Sequence, residues 1–228
     1  MSAGLPSRYY DTEAMRQAVA AGEHRDTIGG LWDEIGELQL EFLVRQGLLP
    51  QHVLLDLGCG AFRAGVKLLP YLDAGNYYGV DVSAELVEAG IEREVAPAGL
   101  LDRLPAENVA LNDTFDVSGF GVDFDFGIAQ SVFTHLPLDR FPACLSALRL
   151  HFRPGSVFFS TWFTAPHPTS IHLDHIQPHG VHTYSDRDLY HASVEEIMAA
   201  AALPGWKPVW IGDWGHPRFQ RMLASVRI

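Results

Sequence analysis

Positive charge is scarce in this chain. Sixteen Lys and Arg stand against 28 Asp and Glu, a net charge of −12 with histidine neutral. A nucleic-acid-binding surface needs a basic patch to meet the phosphates, and no stretch here concentrates Lys and Arg. Only Arg149 with Arg153, and Arg218 with Arg221, come as near pairs, as solvated helix or hairpin faces do. Nucleic acid is therefore not an expected partner. Long apolar runs are missing too: none approaches the roughly 18 residues of a membrane span, so no membrane partner is expected. Met1 to Pro6 lacks the charged and apolar regions of a secretory leader. The two cysteines, Cys59 and Cys144, cannot make a disulfide framework. A cytoplasmic setting is the default expectation. Internal repeats and low-complexity tracts are absent, and the 47% hydrophobic content suffices for the core of one α/β domain.

The most informative segment runs from residue 53 to 65, VLLDLGCGAFRAG. A short apolar run ends in Asp56 and enters a glycine turn, Gly58-Cys59-Gly60, before a stretch with helical spacing begins near Gly65. A strand, a tight turn and a helix N-terminus let a nucleotide-like ligand approach the backbone closely. About 20 residues further on, Tyr77-Tyr78-Gly79-Val80-Asp81 is a second apolar strand ending in an acid, where a ribose diol would be held.

Asp56 discriminates between nucleotides. Dinucleotide sites lay a pyrophosphate over the turn, held by bare N–H groups and the helix dipole. An acid there would face that charge, and two unit charges ~4 Å apart repel by roughly 4 kcal/mol at an effective dielectric of ~20. A ligand with an ammonium and a sulfonium is attracted instead. Arg63 also occupies the third glycine position of G-x-G-x-x-G. These features favour S-adenosylmethionine over NAD.

With these residues in view, the chain resembles the class I S-adenosylmethionine-dependent methyltransferases. Leu55-Asp56-Leu57-Gly58-Cys59-Gly60 is similar to their first motif, and Gly79-Val80-Asp81-Val82-Ser83 to their second. Phe124 to Ser131 is similar to the fourth-strand motif, followed by Val132-Phe133-Thr134-His135-Leu136. Leu150 to Ser156 resembles the turn into the fifth strand. The resemblance covers roughly residues 50 to 165 and departs from the family at Ala61, Phe62 and Arg63. It implies a doubly wound, mostly parallel seven-stranded sheet with a C-terminal antiparallel hairpin, and an N-terminal helical lid over residues 1–50. It implies S-adenosylmethionine as cofactor, S-adenosylhomocysteine as product and a small-molecule acceptor. The cofactor set it implies is Asp56, Gly58, Cys59, Gly60, Asp81, Val82, Gln130 and Ser131, and the departure after Gly60 leaves room for the Arg63 guanidinium near the cofactor's methionine end or the acceptor. Asn112 and Asp113, after the third strand, are candidates for the adenine amino group, with an ordinary turn as the alternative.

The remaining pattern agrees with alternating strands and helices, and so with right-handed crossovers. Leu31, Ile35, Leu38 and Phe42 recur at helical spacing before Gly47 and Pro50. Strands are expected at 52–57, 77–81, 109–112, 124–130 and 156–163, and hairpin strands at 206–212 and 219–227. Ser83 is an expected N-cap, and Ser193-Val194-Glu195-Glu196 an expected capping box. The segment 164–184 is too long for an ordinary connection, which marks it as a capping loop over the active edge. Its histidines lack any standard ligand spacing, so no metal site is assigned.

The expected chemistry is in-line attack on the sulfonium methyl, with O-methylation slightly ahead of N-methylation. A hydroxyl acceptor must lose its proton, and histidine suits that role. His135 is the first candidate base and His216, in the hairpin turn, the second. Phe133, Trp162, His175 and Tyr184 are candidates to line the acceptor pocket, with core packing as the alternative for the aromatics. Rival readings are an NAD-dependent oxidoreductase and a protein that binds S-adenosylmethionine without transferring methyl. Nothing in the residues decides between a single chain and a homodimer.

Overall fold

A computed structural model of the chain describes residues 7–228; the leader reading made on Met1 to Pro6 lies outside the described residues. The sheet is built from β1 (Leu54–Leu57), β2 (Tyr77–Asp81), β3 (Val109–Leu111), β4 (Phe124–Ala129) and β5 (Phe152–Thr164), all parallel. Two short strands, β6 (His175–Ile176) and β7 (His182–Thr183), form their own ladder in the capping segment, and β8 (His191–Ala192) pairs with the end of β5. The C-terminal strands β9 (Trp206–Asp213) and β10 (Arg221–Arg227) form the antiparallel hairpin, with β10 against β5. The strand order is β3-β2-β1-β4-β5-β10-β9. Those seven strands match the expectation, and β8 adds a short eighth.

The near-continuous apolar strands follow from burial on both faces. Leu55, Tyr78, Phe124 and Phe158 pack into one core with Phe141, Leu145 and Trp206. Their chain neighbours Leu54, Tyr77 and Phe159, together with Phe126, pack into the other with Phe42, Leu43 and Leu68. The period-two alternation of a strand divides the neighbours between the two faces.

Six longer helical elements cover the sheet or cross its upper end: α1 (Thr12–Ala20), α3 (Trp32–Arg45), α4 (Gly65–Tyr71), α5 (Ala84–Gly90), α6 (Arg140–Leu148) and α7 (Val194–Ala201), with the single turn α2 (His24–Thr27) between α1 and α3. Ser83 caps α5 by accepting from the Leu86 N–H, and Ser193 with Glu196 forms the capping box of α7. The N-terminal helices are fixed by Glu94, just beyond α5, which accepts from Arg25 and pairs with His24 Nε2 at 2.7 Å. The resulting pull from Arg25 and His24 outweighs burial and holds the Glu94 carboxyl below its usual range.

One boundary differs from expectation: α6 stops at Leu148, and β5 starts four residues before the expected 156. Between Phe152 and Val157 the strand spends five residues against two of β4, so the Arg153-Pro154-Gly155 turn is absorbed as an irregularity inside the strand.

Candidate functional site

The carboxyl ends of β1, β2, β3 and β4 open on one cleft, as expected for a doubly wound sheet. Its wall includes every residue assigned above to the cofactor: Asp56, Gly58, Cys59, Gly60, Arg63, Asp81, Val82, Asn112, Asp113, Gln130 and Ser131. His135 lies on the same wall. From the N-terminal segment come Ser7, Tyr9, Tyr10 and Ile28, and from α3 comes Gln39.

The glycine turn is demanded by its geometry. Gly58 has φ +80° and Gly60 φ +51°. A Cβ on Gly58 would sit 2.4 Å from the Val132 methyl Cγ2, so the turn both needs the left-handed region and lacks room for a side chain. The Gly60 N–H donates to Asp81 Oδ2 at 2.7 Å, and the Ser83 N–H donates to Oδ1 at 2.9 Å. The second strand's acid therefore clamps the first strand's turn, with lone-pair capacity left for a ligand. Burial raises the Asp81 pKa, opposed by N–H donation from Ser83, Gly60 and Val82.

Asp56 is 3% exposed, and burial raises its pKa to about 6, partly offset by the Tyr77 hydroxyl, which donates to Oδ2 at 2.6 Å. At pH 7 it remains mainly ionised. Burial pushes the Cys59 thiol well above its ordinary value, with Asp81 and Asp56 acting in the same direction, so Cys59 packs as a neutral group.

Arg63 is buried and donates Nη1 to the Ile28 and Gly30 carbonyls and Nη2 to Gln130 Oε1. It thereby ties the loop before α3 to the end of β4. Burial lowers its pKa to about 10, so it stays charged at neutral pH. Its Nε has no partner among the described residues, and neither has Gln39 Oε1, which is also buried. Both residues line the cleft; three other buried side-chain atoms without a partner among the described residues, His24 Nδ1, Arg140 Nε and Ser225 Oγ, lie away from it.

His135 follows β4 on the segment Ser131 to Leu136. Its Nδ1 lies 2.7 Å from Asp188 Oδ1, and its ring meets Tyr9 edge-on at 4.9 Å. A carboxylate at Nδ1 selects the tautomer with the proton on Nδ1 and leaves Nε2 as an acceptor. Asp188 went unnoticed in the sequence because it is 53 residues from His135, within Asp186-Arg187-Asp188, where no local pattern marks it. Tyr9, Tyr10 and Gln39 carry no motif either, and their place on the cleft follows from the helices that precede the sheet.

Other expected site residues stand elsewhere. His216 does not line the cleft; it is buried behind Gln130, with Nε2 3.2 Å from Gln130 Nε2 and Nδ1 accepting from the Arg218 N–H. Burial, with Arg63 and Arg218 nearby, lowers its pKa to about 3, which makes it a very weak base. Phe133 and Trp162 stack on each other at 5.2 Å in the core, both packed edge-on to Phe141 of α6. His175 packs against His191, and Nε2 bonds to the Ser170 carbonyl. Tyr184 lies under the Arg187 guanidinium, 3.7 Å from its ring centre. The acceptor pocket expected from these four side chains is therefore not where they are. Asn112 uses its side-chain oxygen to accept from Thr114 and Asp116 and its amide to donate to the Asp116 carbonyl, as in the alternative turn reading, although it borders the cleft.

A second cavity of about 490 Å3 adjoins the first and shares Tyr9, Ile28, Ser131 and His135 with it. Val181 and Leu189 line it, so the capping segment covers this cavity and extends past the expected end at 184. Its histidines do not gather: no group of three His, Cys, Asp or Glu suited to a metal occurs among the described residues.

No family model matches the sequence. Solved structures do resemble the fold. A complex of DhpI with SAM and HEP is 20% identical, with each chain covered in full and a TM-score of 0.64. Magnesium protoporphyrin IX methyltransferase (ChlM) from Synechocystis PCC 6803 with bound SAM is 18% identical, again over the whole of both chains, at a TM-score of 0.62. The sugar N-methyltransferase KedS8 from Streptoalloteichus sp ATCC 53650 is 19% identical over 84% of this chain and 87% of its own, with a TM-score of 0.60. The chain therefore has the α/β fold of the class I S-adenosylmethionine-dependent methyltransferases.

Proposed function

We propose that this chain is an enzyme that transfers the methyl group of S-adenosylmethionine to a small-molecule acceptor, with oxygen ahead of nitrogen as the methylated atom. The observation that carries the reading is the donor set of the first cavity. Buried Gln39 Oε1 and Arg63 Nε are an unpaired acceptor and an unpaired donor, suited to the ammonium and the carboxylate of an amino acid. Asp81 on the same wall suits a ribose diol, and Asn112 and Asp113 border the place for a base. Ionised Asp56 favours a cationic ligand and disfavours a pyrophosphate, which argues against NAD. The neighbours crystallised with SAM support the same cofactor.

When bound, the cofactor supplies a methyl group on a sulfonium, already activated toward displacement. The protein's part is then alignment, exclusion of water and proton removal. Alignment alone can supply up to roughly 7–11 kcal/mol of such a barrier. Tyr9, Tyr10 and Ile28, from the segment 1–50 that we read as a lid on the domain formed by residues 51–228, close the cleft against solvent. His135 holds its proton on Nδ1 against Asp188 and presents Nε2 as the base for an acceptor hydroxyl, which supports O-methylation.

Replacing Asp81 tests the reading. Asp81→Ala removes a charged acceptor from the diol and leaves the Gly60 and Ser83 N–H groups without their partner. A hydrogen bond to a charged group contributes about 1.5–3 kcal/mol, so S-adenosylhomocysteine should bind at least about tenfold more weakly by calorimetry. Unchanged affinity in a folded variant refutes the ribose site.

A further inference from the structure

The second cavity carries two guanidinium groups that no acid neutralises among the described residues. Arg8 donates Nη2 to the Thr27 carbonyl at 2.7 Å and to Tyr9 Oη at 3.2 Å, while Arg218 donates Nη2 to the Gly29 carbonyl at 2.7 Å. Both line the cavity, and each keeps further N–H donors of its planar fork unused by these contacts. Arg25, Lys67, Arg153, Arg187 and Arg221 each lie within 4.0 Å of a carboxylate. Arg93, Arg103, Arg140 and Arg227 also bond to backbone carbonyls without a carboxylate among the described residues, but none of those four lines either cavity, whereas Arg8 and Arg218 face the same one. The acids nearby do not serve them. Asp188 pairs with His135, and Asp26, also on the wall, is exposed to water.

The remaining wall is apolar where the capping segment and β5 meet it, at Phe163, Val181 and Leu189. His135 stands on the boundary between the two cavities. We infer that the second cavity is the acceptor site, and that the acceptor carries an oxyanion, a carboxylate or a phosphate, held by Arg8 and Arg218 against an apolar body. The role of this ligand as acceptor rests on the methyl-transfer reading; the anion site rests on the two arginines alone. Guanidinium forks match both oxyanions in a bidentate manner, so the two share one recognition chemistry.

Benzoate, phenyl phosphate and neutral benzamide, which is nearly isosteric with benzoate, serve as probes in titrations followed by ligand-observed NMR. One of the two anions should bind at least about tenfold tighter than benzamide, and whichever anion leads identifies the head group. The double variant Arg8→Gln/Arg218→Gln should bring that anion to within about twofold of benzamide. Arg218→Lys, which keeps the charge, should retain most of the preference. Arg8→Gln alone, at an exposed position, should weaken the anion by about threefold without unfolding the chain. Benzamide binding as tightly as both anions, or an anion preference that survives the double variant, overturns the inference. S-adenosylhomocysteine is titrated separately: if it binds while no anion preference appears, this inference fails alone. If the anion preference appears and S-adenosylhomocysteine does not bind, the methyl-transfer reading fails alone.

Discussion

Lowering the pH from 7 to 5 should cost the fold about 2 kcal/mol through His216 alone. Its ring is 4% exposed, between Gln130 and the Arg218 backbone, and burial holds its pKa at about 3 with Arg63 and Arg218 assisting. In the unfolded chain the same ring titrates at about 6.5. Between those values the unfolded state binds the proton and the native state does not, so stability falls as pH falls through 6.5. At pH 5 the unfolded form gains about 1.5 pK units of protonation free energy, at about 1.4 kcal/mol each. Because the native pKa lies well below the pH of the assay, the figure is set by the unfolded value. The full loss, about 5 kcal/mol, is reached only below pH 3. Asp56 acts oppositely: its native pKa of about 6 lies above the unfolded value, so it stabilises the fold as pH falls. A variant comparison cancels that contribution. His216→Asn keeps an acceptor near the Arg218 N–H and removes the titration. Denaturant unfolding at pH 7 and pH 5 should show wild type losing about 2 kcal/mol more than the variant. Equal losses would refute a buried neutral His216 and restore it as a candidate base.

Two further outcomes test the site. Gly58→Ala combines left-handed strain with a methyl 2.4 Å from Val132 Cγ2, so it should destabilise by about 2 kcal/mol or more. Gly99→Ala, with φ +72° and open space around the methyl, should cost only about 1 kcal/mol by the same denaturant measurement. Nitrogen-15 NMR of neutral His135 should show the proton on Nδ1, and Asp188→Asn should shift population toward Nε2–H; wild type already in the Nε2–H form contradicts the proposed base. With an acceptor in hand, the same variant should lower kcat by about 10²-fold or more.

The parts of this molecule that were legible in the sequence are those encoded by neighbouring residues. Gly58-Cys59-Gly60 after an apolar run is a local signal for the turn's φ angles, although the crowding at Gly58 comes from the distant Val132. Asp81 at the end of its strand, and the caps at Ser83 and Ser193, are likewise local. Strand register then carries these ends to one side of the sheet. Contacts between distant segments were not legible. Asp188 reaches His135 by a path through the capping segment, and Tyr77 meets Asp56 because β1 and β2 are adjacent. Phe133 and Trp162 misled because a buried aromatic looks the same in sequence whether it faces a helix or a ligand. His216 misled similarly: a histidine in a hairpin turn is ordinarily exposed, but this one is enclosed by Gln130 and Arg218.

The most direct test of the account is a calorimetric titration of the protein with S-adenosylhomocysteine, with NADH in parallel. The account predicts micromolar binding of S-adenosylhomocysteine and none of NADH, because ionised Asp56 and the unpaired Gln39 and Arg63 atoms suit an amino-acid-bearing nucleoside. Binding of NADH alone would contradict it and return the glycine turn to a dinucleotide.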